Sequence, residues 1–273
     1  MRSASRQALE ALREVQASEV GPRSAAATFT TLSDELYAIA ALLVAQPRLR
    51  RTLGDPATDA DGRASLLSAL VGKQVAAHAL AVASAAVKMR WSSPWDLTDA
   101  LESAGDDALF GAAEREHDLD RVEDELFRFE RILQDDGELT GLLDEYTVDP
   151  QRRVELLDEL IDGKVTEATA KLLRHAVSSQ RKRSILLAID DLLEQAAARQ
   201  DRSVARVVSA APITEAQQTR LAAVLGELYG REISIRTALD PSLRGGLVVR
   251  IGDEVIDGSI ANRINEAKTS LVG

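Results

Sequence analysis

Residues 34–97 of this chain recur 90 positions later. Asp34, Glu35 and Leu36 fall on Asp124, Glu125 and Leu126, and Tyr37 falls on Phe127. Leu43, Leu49 and Leu53 fall on Leu133, Leu139 and Leu143. Asp59 and Arg63 fall on Asp149 and Arg153, and Leu66, Leu67 and Leu70 on Leu156, Leu157 and Leu160. Val75, Ala86, Val87 and Leu97 fall on Val165, Ala176, Val177 and Leu187. These make 15 identities over the 64 positions, without a gap. Composition alone would give roughly a tenth of positions. Leu-rich helices coincide easily, but Asp59 and Asp149 sit in expected loops, so a true duplication explains them better. Whatever one copy folds into, the chain must build twice.

One copy reads as helices. Residues 4–18 place Leu9 and Leu12 at helical spacing, and Gly21-Pro22 ends that helix. Residues 29–46 carry the stripe Leu32, Leu36, Ile39 and Leu43, and Pro47 breaks it. Gly54-Asp55-Pro56 is a turn, Leu66 to Val71 marks the next helix, and the Ala-rich segment 74–89 another. Trp91 to Pro94 is a loop, and Trp95 to Ser103 a last helix. The second copy opens on Ala108-Leu109-Phe110-Gly111-Ala112-Ala113. Its 165–177 helix is charged where 75–87 is Ala-rich, so the 75–87 helix is expected to be the more buried. A further helix, 184–199, carries Ile185, Leu186, Ile189, Leu192 and Leu193.

The last third has a different period. Val204 to Ala211 reads as a strand. Thr214 with Gln217 is a capping box, opening a helix with Leu221, Val224, Leu225 and Leu228 on one face and a stop at Gly230. Ile233 and Ile235 alternate with polar neighbours, Asp240-Pro241-Ser242 turns the chain, and Leu247 to Ile251 is a second β-branched run. Gly245-Gly246 allows positive φ or close backbone approach, and Gly252-Asp253 suits a tight hairpin to Val255-Ile256. A final helix from Ser259 places Ile260, Ile264, Ala267 and Leu271 on one stripe. The fold class is therefore mostly α: two tandem helical bundles, 1–104 and 105–200, followed by a small α/β domain, 201–273.

The spacing from Ile233 through Leu239-Asp240, Leu243, Gly245-Gly246-Leu247, Val249-Arg250 and Gly252 closely resembles the signature of the delta subunit of F-type ATP synthases. The mitochondrial member of that family is the oligomycin sensitivity-conferring protein. Asp253, Asp257-Gly258 and Ser259 continue the resemblance, and the 108–126 segment resembles the opening of the delta N-terminal domain. By this resemblance, residues from about 105 onward form a complete delta subunit and residues 1–104 an extra copy of its helical domain. The resemblance implies a non-catalytic stator subunit, without cofactor, of a proton-translocating ATP synthase. It would bind the amphipathic N-terminal tails of the alpha subunits and the membrane-anchored b subunit of the peripheral stalk, and resist rotor torque. It would sit peripherally on the cytoplasmic side of the plasma membrane, with no insertion of its own and no homo-oligomer. Gly245, Gly246, Leu247, Arg250, Gly252, Asp253, Asp257 and Ser259 are the structural interface positions so implied. Leu126, Phe129, Leu133 and Leu172 are candidates for a partner-helix groove and serve equally well as plain core. A different class fits the same residues: a helical adaptor with a small α/β dimerisation domain.

Chemistry-bearing patterns are missing. No G-x-x-x-x-G-K-[ST] or G-x-G-x-x-G cradles a phosphate, and Gly72-Lys73 is followed by Gln74. His78, His117 and His175 lack ligand spacing, and no G-x-S-x-G presents a nucleophile. With no cysteine, disulfides and thiolate sites are excluded. A net charge of −11 and 3% aromatic residues disfavour nucleic acid as a partner. The apolar stretch Val75 to Val87 is shorter than the roughly 20 residues of a bilayer span. Arg181-Lys182-Arg183 reads as a helix-junction surface able to receive an acidic partner.

Overall fold

The computed structural model describes residues 3–21, 23–179, 184–229, 233–240, 243, 245–251 and 254–258, with all side chains among these except those of 201–204, 206, 234 and 236. The contacts divide the chain into two compact units, Met1–Ala196 and Ala197–Gly273. The first holds α1 (Ser3–Glu19), α2 (Ala26–Ala45), α3 (Pro47–Gly54), α4 (Ala60–Val71), α5 (Ala77–Lys88) and α6 (Pro94–Arg115). It continues with α7 (Leu119–Asp135), α8 (Gly137–Asp144), α9 (Pro150–Ile161), α10 (Glu167–Ser178) and most of α11 (Ile185–Ser203).

The helices repeat with the sequence. The bounds of α3, α4 and α5 plus 90 are those of α8, α9 and α10. Each copy fills its own hydrophobic core. Leu32, Leu36, Ile39, Leu43, Leu53 and Leu67 lie in the first. Their counterparts Val122, Leu126, Phe129, Leu133, Leu143 and Leu157 lie in the second. Polar ties repeat too. Arg63 Nη1 donates to the Leu53 carbonyl at 3.2 Å, and Arg153 Nη1 to the Leu143 carbonyl at 3.2 Å. Each buried guanidinium faces the C-terminal end of a short helix, where the helix dipole favours a cation. Asp59 and Asp149 cap the N-termini of α4 and α9, accepting from the Gly62 and Gln151 N–H groups.

The 90-residue register stops before the last helix. Leu97, Leu101 and Ala104 of α6 are buried at positions matched in α11 by Ile185, Ile189 and Leu192, 88 residues on. The sequence pair Leu97 and Leu187 is therefore not a structural pair. Leu97 is fully buried, whereas Leu187 is 59% exposed.

One expected break stands and one is absent. Pro47 ends α2 but occupies the first turn of α3, where its missing N–H costs nothing and its φ is preset. The short α3 and α8 were not anticipated. The expected end of the first bundle near residue 104 lies inside α6, one continuous helix of 22 residues. Its first half serves the first core. In its second half Leu109, Phe110 and Ala113 serve the second core, while Ala108 and Ala112 still serve the first. Ser103-Ala104-Gly105 looks like a stop in sequence. Gly105 is there for packing: a Cβ would lie 2.5 Å from Tyr37 Cε1 of α2.

The expected excess burial of 75–87 over 165–177 does not hold. Five residues of each are buried. The charged side chains of α10 are covered by lateral partners: Lys171 by Asp34, Arg174 by Asp158, and His175 by the Tyr37 ring. Long side chains lying along a neighbour cover as much surface as small ones do. By length and a mean hydropathy of 1.3, α2 passes for a membrane span. Its Phe29, Leu32, Leu36, Ile39, Ala40 and Leu43 are instead inside the first core.

The second unit contains β1 (Val204–Ser209), α12 (Glu215–Tyr229), β2 (Ser234–Leu239), β3 (Leu247–Ile251) and β4 (Glu254–Asp257). The sheet order is β2-β1-β3-β4. β1 and β2 are parallel and joined through α12. The β1–β3 and β3–β4 pairs are antiparallel. The capping box forms as expected: the Thr214 N–H donates to Gln217 Oε1 at 2.9 Å, and the Gln217 N–H to Thr214 Oγ1 at 3.3 Å. Ala205, Val207, Leu225, Ile233, Val249 and Ile251 form the core.

Candidate interaction surfaces

Each unit offers surfaces rather than a reaction centre. Among the described residues no group of three His, Asp or Glu is placed to hold a metal. In the second unit, Gly245 and Gly246 adopt φ of 128° and 83°, so the glycine pair supplies the left-handed turn that feeds β3. Leu247 opens β3 opposite Ser209, and its carbonyl accepts from the Gly258 N–H at 3.0 Å. Arg250 is exposed, in register between Arg206 and Val255. Asp257 stands opposite Val248 at the end of β4. Gly252, Asp253, Ser259, Gly230, the terminal helix and the 181–183 cluster lie outside the described residues. Of the expected α12 face, Leu225 is buried and Leu221 half-buried, while Val224 and Leu228 are 54% and 67% exposed. Register also sets Arg236, Arg206 and Arg250 in one row across β2, β1 and β3, which sequence reasoning missed because pairing alone brings them together.

In the first unit, Leu126, Phe129, Leu133 and Leu172 are all core of the second bundle and are not surface groove residues. The i, i+3/i+4 stripe that made them groove candidates is the same stripe that fills a helix bundle. Phe127, beside them on α7, is 52% exposed, and so is Leu142 on α8.

Between the two cores lies a polar junction that the sequence did not signal. Tyr37 of α2 packs against the second core. Its Oη donates to Asp106 Oδ1 at 2.6 Å. The imidazole of His175 on α10 stacks on its ring. Lys171 Nζ, one turn before His175, donates to both carboxylate oxygens of Asp34 at 2.7 and 2.6 Å. Asp106 also hydrogen-bonds Gln195 of α11, which accepts from Ser103 Oγ at 2.9 Å. Burial, opposed by the bonds from Tyr37 and Gln195, pushes the Asp106 carboxyl up to about 7. Burial pushes His175 down to about 4. Both groups are therefore favoured in their neutral forms. His175 Nε2 stands 4.0 Å from Glu102 Oε2, too far for a hydrogen bond.

A buried polar seam between two cores, one helix shared by both, and exposed apolar helix faces describe an interaction protein built of tandem bundles. The comparisons with known proteins place it. Residues 107–271 match the family model described as ATP synthase delta (OSCP) subunit. The chain belongs to that family. It is 41% identical over 273 residues to an ATP synthase subunit delta of Streptomyces griseus, covering all of both chains. It is 40% identical over 250 residues to one from Salinispora arenicola, covering 92% of this chain and 90% of that one. It is also 42% identical over 271 residues to an ATP synthase subunit b-delta of a Mycobacterium species, covering 99% of this chain. It spans 61% of the length of that relative. The family model begins at residue 107, inside α6, two residues before Leu109, the first residue of that helix in the second core.

Proposed function

We propose that the chain is a non-catalytic stator subunit of a proton-translocating F-type ATP synthase. In this reading it joins the N-terminal tails of the alpha subunits, on the catalytic head, to the b subunit of the peripheral stalk. It works peripherally, on the cytoplasmic side of the membrane-bound complex. The helical part, in two copies over 1–104 and 105–200, receives amphipathic helices. The α/β part over 201–273, with its signature from Gly245 to Ser259, holds the stalk. The observation that carries this is the continuous α6, shared by two cores in a chain of the delta family. A stator does no chemistry and must not bend. A 22-residue helix spans about 33 Å. With the first core packed on it from Leu97 to Ala112 and the second on Leu109, Phe110 and Ala113, it leaves no loop at which torque could hinge one bundle against the other. The b-delta name of the Mycobacterium relative supports stalk and delta functions working as one body.

The test is isolation of the affinity-tagged full chain from gently solubilised membranes. Alpha and b subunits are expected in fixed stoichiometry with it, and the tag should be open to protease in inverted vesicles. A chain that comes down with neither subunit, as monomer or homodimer, would overturn the reading in favour of a helical adaptor.

A further inference from the structure

The repeat supplies an internal template for a docking site. On α2 of the first bundle, Asp34 and Tyr37 form a two-point grip. Asp34 holds the Lys171 ammonium and Tyr37 stacks on the His175 ring. Lys171 and His175 are four residues apart on α10, so one helix face presents both. The second bundle repeats the grip at the same spacing, with Asp124 and Phe127 on α7. Phe127 is 52% exposed, and the Asp124 side chain, bridged among the described residues to its own-helix neighbour Arg128 at 2.7 Å, is half exposed.

We propose that the α7 face around Asp124 and Phe127 is a docking site for a helix of another protein, one that carries a basic residue followed four positions later by a flat side chain. The proposal rests on the reading of the chain as a binder of partner helices. Charge supports it. Ser33 and Ala40 on the first copy's face become Glu123 and Glu130 on the second, and Asp120 lies one turn before Asp124. Burial, with Asp120 adding to it, already pushes the Glu123 carboxyl up, so a cation brought to this face relieves an existing strain. The occupant is not a second copy of this chain. The first bundle's α5 bears Ala81 and Ala85 where α10 bears Lys171 and His175, so it has neither the cation nor the ring.

The probe is a fluorescent, hydrocarbon-stapled peptide of residues 164–179, which carries the Lys171 and His175 pair, and a twin with Lys171→Ala and His175→Ala. Each is titrated into the intact chain by anisotropy. Saturable binding is expected for the first peptide and at least tenfold weaker binding for the twin. Phe127→Ala in the chain should weaken binding tenfold and Asp124→Asn about threefold, with thermal melting unchanged because both positions are exposed. No binding overturns the proposal. So does binding indifferent to Phe127→Ala, which would mean that the peptide has displaced α10 from Tyr37. Binding of the chain to catalytic head stripped of this subunit is measured alongside. If the head binds and the peptide does not, only this site falls. If the head does not bind either, the stator reading falls with it.

Discussion

The imidazole of His175 lies flat on the phenol ring of Tyr37, with centroids 3.7 Å apart and planes 8° from parallel. Tyr37 belongs to the first copy of the repeat and His175 to the second, so this stack is where the copies meet. Offset or parallel ring contacts of this kind add about 0.5–1.5 kcal/mol beyond area burial. The hydroxyl of the same Tyr37 reaches Asp106, which makes the joint sensitive to protons.

The two titratable groups of the joint pull stability in opposite directions. Asp106 is held near 7 by burial, above its ordinary 3.8, so the folded chain keeps a proton that the unfolded chain releases. On its account stability falls as pH rises from about 4 to 7 and stays low above that. His175, held near 4 by burial instead of 6.5, refuses in the folded chain a proton that the unfolded chain accepts. On its account stability rises over pH 4 to 6.5. The slopes offset each other in that window. Asp106→Asn should therefore leave a curve that climbs from pH 4 to 6.5 relative to wild type, and His175→Gln one that falls from 4 to 7. Each unit of pKa difference is worth about 1.4 kcal/mol, so each limb spans a few kcal/mol at most. Urea midpoints between pH 4.5 and 7.5 measure this. Parallel curves for wild type and both variants would show that the groups are not buried together.

Gly105→Ala should destabilise the chain although alanine is the better helix former by about 1 kcal/mol. The new Cβ would meet Tyr37 Cε1 and Cδ1 at 2.5 and 2.7 Å. That ring cannot swing away cheaply, pinned as it is by His175 on its face and Asp106 at its tip. A loss of about 1–3 kcal/mol is expected, as for other overpacked sites. Gly105→Ala should cost much less in a Tyr37→Leu background than in the wild-type chain, although Tyr37→Leu by itself loses the stack on His175 and the bond to Asp106. A Gly105→Ala chain that melts above wild type would mean that α2 stands further from α6 than the structure has it.

Much of this architecture was readable from residue order, and the unread parts share a cause. Helical stripes such as Leu32, Leu36, Ile39 and Leu43, and the Thr214 and Gln217 box, declare themselves because their partners are a few residues away. Gly245 and Gly246 declare a left-handed turn for the same reason. The role of Gly105 goes unmarked because its partner, Tyr37, is far off in sequence. Phe129 and Leu172 looked like groove residues because amphipathicity marks a buried stripe without saying what buries it. Lys171 and Arg174 made α10 look exposed because their acidic partners lie on α2 and α9. The grip at Tyr37 needed the second copy to be seen at all.

Glu125→Gln should cost more than Glu35→Gln, although the two glutamates occupy the same place in the repeat. Among the described residues Glu35 accepts the Ala76 N–H, at 3.0 and 2.9 Å to its two oxygens, in an exposed setting. Glu125 is buried and accepts the Thr166 N–H at 2.8 Å, the Thr166 hydroxyl at 2.9 Å, the Thr169 hydroxyl at 2.7 Å and Arg121 Nε at 2.9 Å. Burial alone would raise its carboxyl. The hydrogen bonds from Thr169 and Thr166, with Arg121, outweigh burial and hold it below the usual range. A charged acceptor bonded this way is worth about 1.5–3 kcal/mol, against about 1 for a neutral one. Because the folded pKa is depressed, this contribution is full above the ordinary glutamate pKa and is lost as pH falls through the folded value. The gap between Glu125→Gln and wild type should be wide at pH 7 and close in acid. A gap of equal size at pH 7 and pH 3 would overturn the assignment of charge to Glu125.

His117→Gly should stabilise the chain. α6 ends in a paired cap, with the Asp118 N–H donating to the Ala113 carbonyl at 2.8 Å and the His117 N–H to the Glu114 carbonyl at 3.2 Å. That pattern places the donor of the second bond in the left-handed region, and His117 has φ of 60°. Glycine is the usual occupant because a Cβ crowds the carbonyl there. The imidazole is exposed, so its removal exposes no core. Glycine at this position should raise stability by about 0.5–1 kcal/mol, after allowing for the greater freedom it gives the unfolded chain. Valine, β-branched and poorly suited to positive φ, should lower it. The two substitutions must move the urea midpoint in opposite directions. If both lower it, the imidazole holds the turn by a contact of its own, and the left-handed cap is not what limits the end of α6.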